Sequence, residues 1–597
     1  MAENPQRPML GLALSGGGFR ASFFHIGVLA RLAELDLLRH VEVISTVSGG
    51  SIVGAMYYLY LKKLLESKPD REITADDYRN LVASLISSFQ AAVQQNLRLR
   101  TFINPVKNLR MSRANYSRSD RMGELFDQFL YRPVMGWDRP VLMRDLIINP
   151  PDAERPFKPD RDNAKRAAKV PILLINATSL NTGRNWRFEA VRMGEPPPRG
   201  ALAKDLDKRL RLLRPESYDD LTPAQSNIEL GHAVAASAAV PGIFHPLAIS
   251  RMYPDARVEL VDGGVHDNQG VQALLDRGCT QFIISDGSGQ MEGLRYPATS
   301  IPAVLMRSSS ISMSRVREEQ ILRAGELAGN DGLCLIHLRK GLAPEYIPYL
   351  DEEVKVATVT ETAVSRTLER YGIAPEVQEA LSKLRTDLDA FSDMEAESLM
   401  LSGYRIAAYE LNRQPQLLRT GGDVSEESWP FLRVAELARN PTPQYLRVLD
   451  VGASVAFKVF GLYPKFAAAL LGVSGTAGAF LFWRFWDSLS DPIMPASWVP
   501  SRLACLLFVL GLIPVADGRI RFILARLWLF RMLAKYLRNP WRWLMKMAFR
   551  AVPLALGSIV FSVYLWIATP FFLRAGRIDS EGPPPPAARS RKAARAS

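Results

Sequence analysis

Apolar and polar positions follow one another along the start of the chain in blocks that predict strands and helices in turn. Met9 to Leu14 and Val41 to Val47 are short apolar runs, the second rich in β-branched residues, and they predict two buried strands. Phe19 to Leu37 and Ser51 to Leu64 are longer and largely apolar, and they predict buried helices. This alternation is typical of an α/β fold with a mainly parallel sheet.

Later parts of the chain predict further strands and two helix-rich stretches. Apolar runs predict strands at Pro171 to Thr178, Asn185 to Val191, Val258 to Val261 and Phe282 to Ser285. Helix-prone sequence runs from about Lys68 to Lys169 and from Ser309 to about Arg413. We therefore expect a domain at 1–411, with its core at 9–290 and a helical extension at 300–411, and then a polar linker at 412–450.

Three uncharged segments follow the linker and change the character of the chain. They are Phe466 to Trp483 with 18 residues, Leu503 to Ala516 with 14 and Ala551 to Leu573 with 23. A membrane-spanning helix needs about 20 apolar residues, so the first and last segments predict transmembrane helices, and the short middle one could be re-entrant. Buried core helices are the alternative. We expect a membrane-associated helical region at 451–573.

The net charge of +13 is concentrated near these segments. Arg519 to Arg550 holds nine Lys and Arg and no acidic residue, and the tail at 574–597 adds a net four, so Met1 to Gly518 is neutral. A nucleic-acid-binding protein would carry its basic surface on a folded domain. Basic residues that flank apolar segments instead indicate a membrane surface with anionic lipid as the partner. The tail itself, rich in proline, predicts disorder.

Cysteine content and the N-terminus bear on the compartment. Cys279, Cys334 and Cys505 lie far apart, which argues against a disulfide framework or a cysteine-rich zinc site and favours a reducing compartment. The N-terminus has no secretory signal, because its apolar run of six residues leads directly into a glycine loop. We therefore expect the first domain to be cytoplasmic.

One serine, Ser48, lies at a strand-to-helix turn, a position where catalytic serines are often found. In VEVISTVSGGSIVG, residues 41–54, only Ser48, Gly49 and Gly50 separate the second strand from the second helix. A strand that turns directly into a helix exposes the serine at the tip of the turn, which is how serine nucleophiles are often presented. The alternative is a tight turn with a serine that caps the helix.

A glycine loop, SGGGFRA at residues 15–21, lies between the first strand and the first helix. Unpaired backbone N–H groups at a helix start form an anion site. The anion could be a pyrophosphate, since Gly16, Gly18 and Ala21 fit GxGxxA, but the second strand ends in Thr46-Val47-Ser48 without the acidic residue that binds a ribose. The other candidate is the oxyanion of an acyl-transfer intermediate.

A serine nucleophile needs a base. None of the six histidines lies in a context that marks it as a triad member. In VELVDGGVHDNQG, residues 258–270, Asp262 closes an apolar strand before Gly263 and Gly264, so its carboxylate is expected at the edge of the sheet. Taken alone, Asp-Gly-Gly is an ordinary turn.

Together these elements resemble the patatin-like phospholipase family over roughly residues 10–289. The matching stretches, in order, are Gly16-Gly17-Gly18 with Arg20, Thr46-Val47-Ser48-Gly49-Gly50, ATSLNTG at 177–183, SAAVPGIFHP at 237–246, and Asp262-Gly263-Gly264. The chain departs from the family in two places. Thr46 replaces the first glycine of G-x-S-x-G and is expected to crowd the turn, and Ser15 stands where an aspartate is frequent.

The resemblance implies a three-layer α/β/α domain with a Ser–Asp dyad, no metal and no cofactor. Ser48 would be the nucleophile and Asp262 the general base. The backbone N–H groups of Gly16, Gly17 and Gly18 would bind the oxyanion, and Arg20 would support the loop or meet a lipid phosphate. The supporting turn residues are Gly49, Gly50, Gly263 and Gly264.

The implied activity is hydrolysis of acyl esters in membrane lipids, of the phospholipase or lysophospholipase type. An acyltransferase with the same acyl-enzyme step is an alternative. An inactive membrane scaffold is another, for which Thr46 is the one supporting feature. The sequence does not indicate the head group, the acyl position or the oligomeric state.

Overall fold

The computed structural model describes residues 8–111, 116–153, 156–198, 213–329, 332–344, 365–414, 417, 429–455, 458–463, 557–558 and 561–578. The chain divides into two compact units. The first comprises Met1–Thr101, Met111–Ala456 and Thr569–Ser597, and the second comprises Phe102–Arg110 and Phe457–Ala568.

A ten-stranded mixed sheet forms the centre of the first unit within the described residues. Its strands are β1 (Leu10–Leu14), β2 (Val41–Val47), β3 (Ile172–Ser179), β4 (Asn185–Phe188), β5 (Arg192–Gly194), β6 (Glu216–Ser217), β7 (Leu247–Tyr253), β8 (Ala256–Asp262), β9 (Gln281–Asp286) and β10 (Leu333–His337). The order is β10-β9-β1-β2-β3-β4-β5-β6, with β8 on β3 and β7 on β8. Pairing is parallel from β10 to β3 and antiparallel elsewhere.

Helices connect these strands and continue beyond them. Those up to β7 are α1 (Gly18–Glu34), α2 (Gly49–Ser67), α3 (Ala75–Val93), α4 (Leu97–Arg100), α5 (Pro105–Arg110), α6 (Arg118–Phe126), α7 (Arg132–Met135), α8 (Pro159–Asp162), α9 (Pro223–Ser226) and α10 (Leu230–Ser237). Those after β8 are α11 (Gly264–Asp267), α12 (Val271–Arg277), α13 (Ile301–Ala328), α14 (Thr367–Tyr371), α15 (Pro375–Lys383), α16 (Asp393–Leu411), α17 (Ala435–Arg439), α18 (Pro443–Gly452), α19 (Lys458–Leu462) and α20 (Thr569–Ala575). Helices α5 and α19 belong to the second unit and the others to the first.

The parallel part of the sheet is covered on both faces, which gives the three layers that the resemblance implies. Leu12 and Leu14 of β1 belong to a large core cluster that includes residues of α1, α2, α3 and α16. Ala13, whose side chain points to the opposite face, belongs to a second cluster with residues of α12 and α13. Strands buried on both faces read as continuous apolar runs, and this is why β1 and β2 were recognisable from sequence.

Helix α1, which carries the glycine loop at its start, packs closely on α16. A Cβ placed on Gly27 would lie 1.9 Å from the carbonyl oxygen of Met400, and one on Gly403 would lie 2.1 Å from the carbonyl oxygen of Phe24. The two backbones are therefore in direct contact. At the other end of α1, the buried carboxylate of Glu34 accepts a hydrogen bond from Tyr404 Oη.

Several strand predictions match the structure and others do not. β2 has the predicted bounds, and β1, β3, β8 and β9 begin and end within two residues of them. The predicted strand at Asn185 to Val191 ends at Phe188. β10 was predicted as helical, but it pairs with β9 as a parallel edge strand. The predicted parallel pairing is found in the strands from β10 to β3. The strands from β4 to β8 pair antiparallel.

The predicted linker at 412–450 is wrong from Trp429 onward. Trp429 is buried, and its Nε1–H donates a 2.6 Å hydrogen bond to Glu34 Oε1. Phe431, Tyr445 and Leu449 are also buried in the large core cluster. The polar residues around these aromatic side chains made the stretch resemble a linker, whereas its apolar residues complete the core. Residues 418–428 lie outside the described part of the chain.

The membrane region is only partly described. Within the described residues, none of the helices combines the length and the apolar character that crossing a bilayer requires. Phe466 to Trp483, Leu503 to Ala516, Arg519 to Arg550 and the tail from residue 579 lie outside those residues.

The end of the third apolar segment, Ala551 to Leu573, differs from the predicted membrane span. Thr569 and Phe572 of α20 are buried in the first unit, where Phe572 lies 5.8 Å from the guanidinium of Arg385. Just after α20, the carbonyl of Gly576 accepts a hydrogen bond of 2.9 Å from Met394 N–H. The predicted region at 451–573 therefore does not continue to its expected end, because these residues contribute to the first unit.

Candidate active site

Ser48 lies at the tip of the turn between β2 and α2 in a strained backbone conformation. Its φ of 50° and ψ of −116° are sparsely populated by non-glycine residues. Its side chain makes no capping hydrogen bond to α2, so the helix-capping interpretation is wrong. A serine held with positive φ between a strand and a helix has the geometry of a nucleophile elbow.

Hydrogen bonds among buried polar groups fix the conformation of this turn. The backbone N–H of Ser48 donates a 2.9 Å hydrogen bond to Ser237 Oγ, and Ser237 Oγ donates to the carbonyl of Asn176 at 2.6 Å. Ser51 Oγ lies 2.8 Å from the same Ser237 oxygen. The backbone of the elbow is therefore fixed by α10 and β3 as well as by its own strand and helix.

Thr46, the departure from the family pattern, has a place in this network. Its Oγ1 donates to the carbonyl of Leu174 at 3.1 Å and accepts from Ser51 Oγ at 3.0 Å. A Cβ on Gly54 would lie 2.7 Å from Thr46 Cγ2, so the threonine methyl occupies space that a glycine in α2 leaves open. The threonine is thus accommodated by Gly54.

Asp262 closes β8 opposite Ala177 of β3. Its Oδ1 accepts a 2.7 Å hydrogen bond from Gly264 N–H, whereas Oδ2 has no hydrogen-bond partner among the described residues. Burial raises the pKa of Asp262 to about 6, against the opposing effects of the Gly264 N–H and the Ser48 side chain. The Ser48 side chain thus favours the ionised carboxylate, and Oδ2 accepts no hydrogen bond within the described part of the chain.

Ser237 connects the two turns. Its Oγ accepts from Ser48 N–H, and its carbonyl accepts a 3.1 Å hydrogen bond from Gly263 N–H. Two residues after Ser237, the carbonyl of Ala239 accepts a 3.0 Å hydrogen bond from Asp262 N–H. One short stretch at the end of α10 thus holds both the serine turn and the aspartate turn.

The glycine loop lies against the elbow. A Cβ on Gly49 would be 2.1 Å from the carbonyl oxygen of Gly18, and Gly50 N–H donates to the carbonyl of Ser15 at 3.1 Å. Gly17 and Gly18 have φ of 137° and 57°, which glycine adopts without strain. The start of α1 and the start of α2 therefore meet beside Ser48.

The predicted role of Gly16 as an oxyanion donor is wrong, because its N–H donates a 2.9 Å hydrogen bond to the carbonyl of Asn268. Within the described residues, the N–H groups of Gly17, Gly18 and Gly49 have no such partner. Gly49, expected only to support the turn, follows the serine directly and stands where α/β-hydrolases place an oxyanion donor.

Arg20 supports the glycine loop. It is buried, and its guanidinium donates to the carbonyls of Gly287, Ser382 and Leu384 at 3.3, 3.2 and 2.7 Å. Burial lowers the pKa of Arg20 to about 10, against the field of Asp286. Of its two expected roles, the structure therefore favours loop support over contact with a lipid phosphate.

Two residues that sequence reasoning missed also shape the site. A Cβ on Gly16 would lie 2.3 Å from Asn268 Oδ1, and one on Gly264 would lie 2.5 Å from it, so the amide fills the space between the two loops. His25, behind the loop, contacts the carbonyl of Ser15 at 2.9 Å, and burial lowers its pKa to about 4. Asn268 lay within the quoted Asp-Gly-Gly stretch, but its spacing carries no signal of this role.

Comparison with known proteins bears on the same part of the chain. Residues 12–275 match the family model described as patatin-like phospholipase. No curated protein matches the chain.

Among solved structures, human GIVD cytosolic phospholipase A2 in complex with methyl gamma-linolenyl fluorophosphonate and terbium chloride is 13% identical, with a TM-score of 0.35, over 69% of this chain and 59% of that chain. VipD from Legionella pneumophila is 11% identical, with a TM-score of 0.22, over 96% of this chain and 89% of that chain. The chain thus spans about three fifths of the length of the human enzyme. The match to the family model is confined to residues 12–275, and this part of the chain is similar to patatin-like phospholipases.

Proposed function

We propose that the protein is a serine acyl hydrolase of membrane lipids, with Ser48 as nucleophile and Asp262 as general base. The observation that carries this proposal is the pairing of a strained serine turn with a buried aspartate, one oxygen of which has no hydrogen-bond partner among the described residues. Backbone strain at a serine and an unsatisfied buried carboxylate oxygen both cost free energy, and such features persist where function requires them.

In the acylation step, Ser48 Oγ attacks the ester carbonyl carbon and its proton passes to Asp262 Oδ2. The negative charge that develops on the carbonyl oxygen is stabilised by the N–H groups of Gly17, Gly18 and Gly49, which point at no other acceptor in the described part of the chain. Collapse of the intermediate breaks the ester bond, and the leaving alcohol takes the proton from Asp262. Water then attacks the acyl-serine by the same sequence of transfers.

An aspartate can act as this base without a histidine because burial raises its pKa. At about 6, the Asp262 carboxylate is closer in basicity to neutral pH than an exposed aspartate with the ordinary value of 3.8. It therefore accepts a proton more readily and is still ionised at pH 7.

The lipid character of the substrate rests on the family of residues 12–275. The class of ester that we propose comprises phospholipids, lysophospholipids and neutral glycerides, which share the carboxylic ester that Ser48 would attack. The partner is accordingly a membrane surface that carries such lipids.

The test is hydrolysis of a soluble short-chain ester, together with labelling by a fluorophosphonate, for the full chain and three variants. We expect Ser48→Ala to lose labelling and at least about 10³-fold in rate, since a nucleophile is removed. Asp262→Asn should also be inactive, because an amide accepts no proton. His266→Ala is the matched control and should keep most of its activity.

Two outcomes would overturn the assignment. Full activity in a folded Ser48→Ala protein would place the nucleophile elsewhere, and loss of activity in His266→Ala with an active Asp262→Asn would replace the base. Absence of labelling in the unmodified chain would favour an inactive scaffold. Transfer of the acyl group to an added alcohol, in preference to water, would make the protein an acyltransferase with the same acyl-enzyme.

A further inference from the structure

A long projection of the first unit, residues 291–316, is named the arm. The chain leaves the sheet at Asp286, the last residue of β9, and returns where Arg317 Nε of α13 donates a 2.9 Å hydrogen bond to Asp286 Oδ2. The arm is therefore anchored at both ends beside one buried carboxylate. Its helical part, from Ile301 to Arg317, extends over about 24 Å at the α-helical rise.

The anchor lies next to the glycine loop. Ser285, the neighbour of Asp286, pairs in register with Leu14 of β1. A Cβ on Gly17 would lie 3.0 Å from the carbonyl oxygen of Gly287, and Arg20 holds that same carbonyl. The arm thus begins a few residues beyond the loop that we propose binds the oxyanion.

Most residues of the arm are exposed, and five of its 26 residues are partly covered. None of residues 291–316 is buried, and the exposed fractions of Tyr296, Ile301 and Met306 are 94%, 78% and 71%. The first buried residue of α13 is Gln320, beyond the anchor. An exposed helix with several large apolar side chains marks a surface that meets a partner.

The charge of the arm indicates which partner. The arm contains three arginines, at 295, 307 and 315, and one acidic residue, Glu292, so its net charge is +2. Glu292 is paired with Arg339, and Arg317, just beyond the arm, is paired with Asp286. A surface with this excess of positive charge repels a second copy of itself, whereas an anionic bilayer attracts the arginines and accepts the apolar side chains.

We propose that the arm docks the first unit on an anionic lipid surface. The choice of lipid as partner rests on the proposed function, because the arm starts beside the proposed active site. Docking through the arm brings the Ser48 turn toward the membrane independently of the predicted apolar segments after residue 450. The catalytic unit would then carry its own means of reaching the interface.

The direct test places an environment-sensitive fluorophore on the arm of the full chain. Met306→Cys is labelled in a background of Cys505→Ser and Ser48→Ala, since Cys279 and Cys334 are buried and vesicle hydrolysis must be prevented. Leu327→Cys is the matched control, because Leu327 lies on the same helix, is 58% exposed and lies beyond the anchor. Vesicles of phosphatidylcholine with and without phosphatidylglycerol are then added.

We expect a blue shift, and quenching by a lipid-borne quencher, for the label at 306 with anionic vesicles and a much smaller response at 327. A label at 306 that is already blue-shifted in buffer would overturn the proposal, because another part of the chain then covers the arm. A shift that follows protein concentration without vesicles would overturn it in favour of self-association. An equal response at both positions, or none, would also overturn it.

A second measurement separates this proposal from the proposed function. The double variant Leu305→Ser and Met306→Ser should lose about tenfold or more of vesicle hydrolysis, since two apolar side chains no longer enter the bilayer, and should keep soluble-ester hydrolysis. Leu322→Ser with Leu327→Ser should keep both activities. Unchanged vesicle hydrolysis in the arm variant contradicts docking through the arm. If no variant hydrolyses the soluble ester, the proposed function fails, while the fluorescence result still decides the docking surface.

Discussion

The backbone N–H of Ser48 donates a 2.9 Å hydrogen bond to Ser237 Oγ, and the carbonyl of Ser237 accepts from Gly263 at 3.1 Å. The residue that holds the serine turn therefore also holds the turn that follows Asp262. Ser237 itself takes no part in the proposed proton transfer. The alignment of the proposed dyad depends on a side chain that does not react.

Replacing Ser237 with alanine should slow the reaction without abolishing it. The change leaves the buried Ser48 N–H without a partner, at a cost of about 1–3 kcal/mol, and allows the strained turn to relax. If that cost appears in the transition state, kcat for a soluble ester falls about 5- to 150-fold, with little change in KM. An unchanged kcat in a folded Ser237→Ala protein would show that the bond does not position the nucleophile.

The hydroxyl of Thr46 can be tested apart from its shape. Thr46→Val removes the hydrogen bonds to Leu174 and Ser51 and keeps the volume, whereas Thr46→Ser keeps the hydroxyl. We expect the valine variant to react with a fluorophosphonate about tenfold more slowly and the serine variant to stay close to the unmodified rate. Equal rates in both variants would leave Thr46 with a packing role against Gly54 alone.

The dependence of the rate on pH should report the Asp262 carboxyl. Because the base must be ionised, the rate of soluble-ester hydrolysis should fall about tenfold per pH unit below the pKa of about 6 and be flat above it. Asp267, whose pKa burial also raises to about 6, is the alternative source of such an inflection. Asp267→Asn should therefore keep the inflection. An inflection near pH 4 would mean that the base is exposed or is another group.

Asp262→Asn should make the folded protein more stable at neutral pH. A carboxyl whose pKa is raised in the folded state binds its proton more tightly there than in the unfolded chain, so the free energy of unfolding falls as pH rises from about 4 to 6. The amide does not titrate, so the free energy of unfolding of the variant should exceed that of the unmodified protein by up to about 3 kcal/mol at pH 7. The difference should be close to zero at pH 4. Urea denaturation at both pH values measures the difference. A variant that is less stable at pH 7 would contradict the raised pKa.

Gly49→Ala should separate the elbow from the glycine loop. The new methyl group would lie 2.1 Å from the carbonyl oxygen of Gly18, and a backbone atom in a packed core cannot move aside freely. We expect a loss of about 100-fold or more in rate, because the proposed oxyanion donors move relative to Ser48. Gly325→Ala, whose Cβ would make only an ordinary contact at 3.6 Å, should be neutral or slightly stabilising. Retained activity in Gly49→Ala would exclude this close contact from the mechanism.

Much of the parallel sheet and the two central turns could be predicted from the sequence. Strands buried on both faces read as apolar runs, and the turns at Ser48 and Asp262 need glycines that mark them. The hydrogen bond from Gly16 to Asn268 could not be predicted, since it joins residues 252 positions apart and depends on how two loops meet. The same holds for Ser237, whose hydroxyl looks in sequence like any other serine in an alanine-rich helix.

The prediction of a linker around Trp429 was wrong for a different reason. Its polar neighbours lowered the average hydropathy, although Trp429 and Phe431 supply two large buried rings. A shortened chain that ends at Pro430 would therefore lose Phe431, Tyr445 and Leu449 from the core. A shortened protein for solution work should instead keep residues 429–455.

The contact of α1 with α16 has a consequence for how activity can be lost. At Gly27 and Gly403 the two helices touch through their backbones, so one added methyl group must push α1 outward. A helix moves as a stiff rod, and Gly18 lies nine residues, or about 14 Å along the axis, from Gly27. In a genetic screen, alanine at Gly27 or Gly403 should therefore reduce activity as substitutions in the active site do, although neither position would contact the substrate.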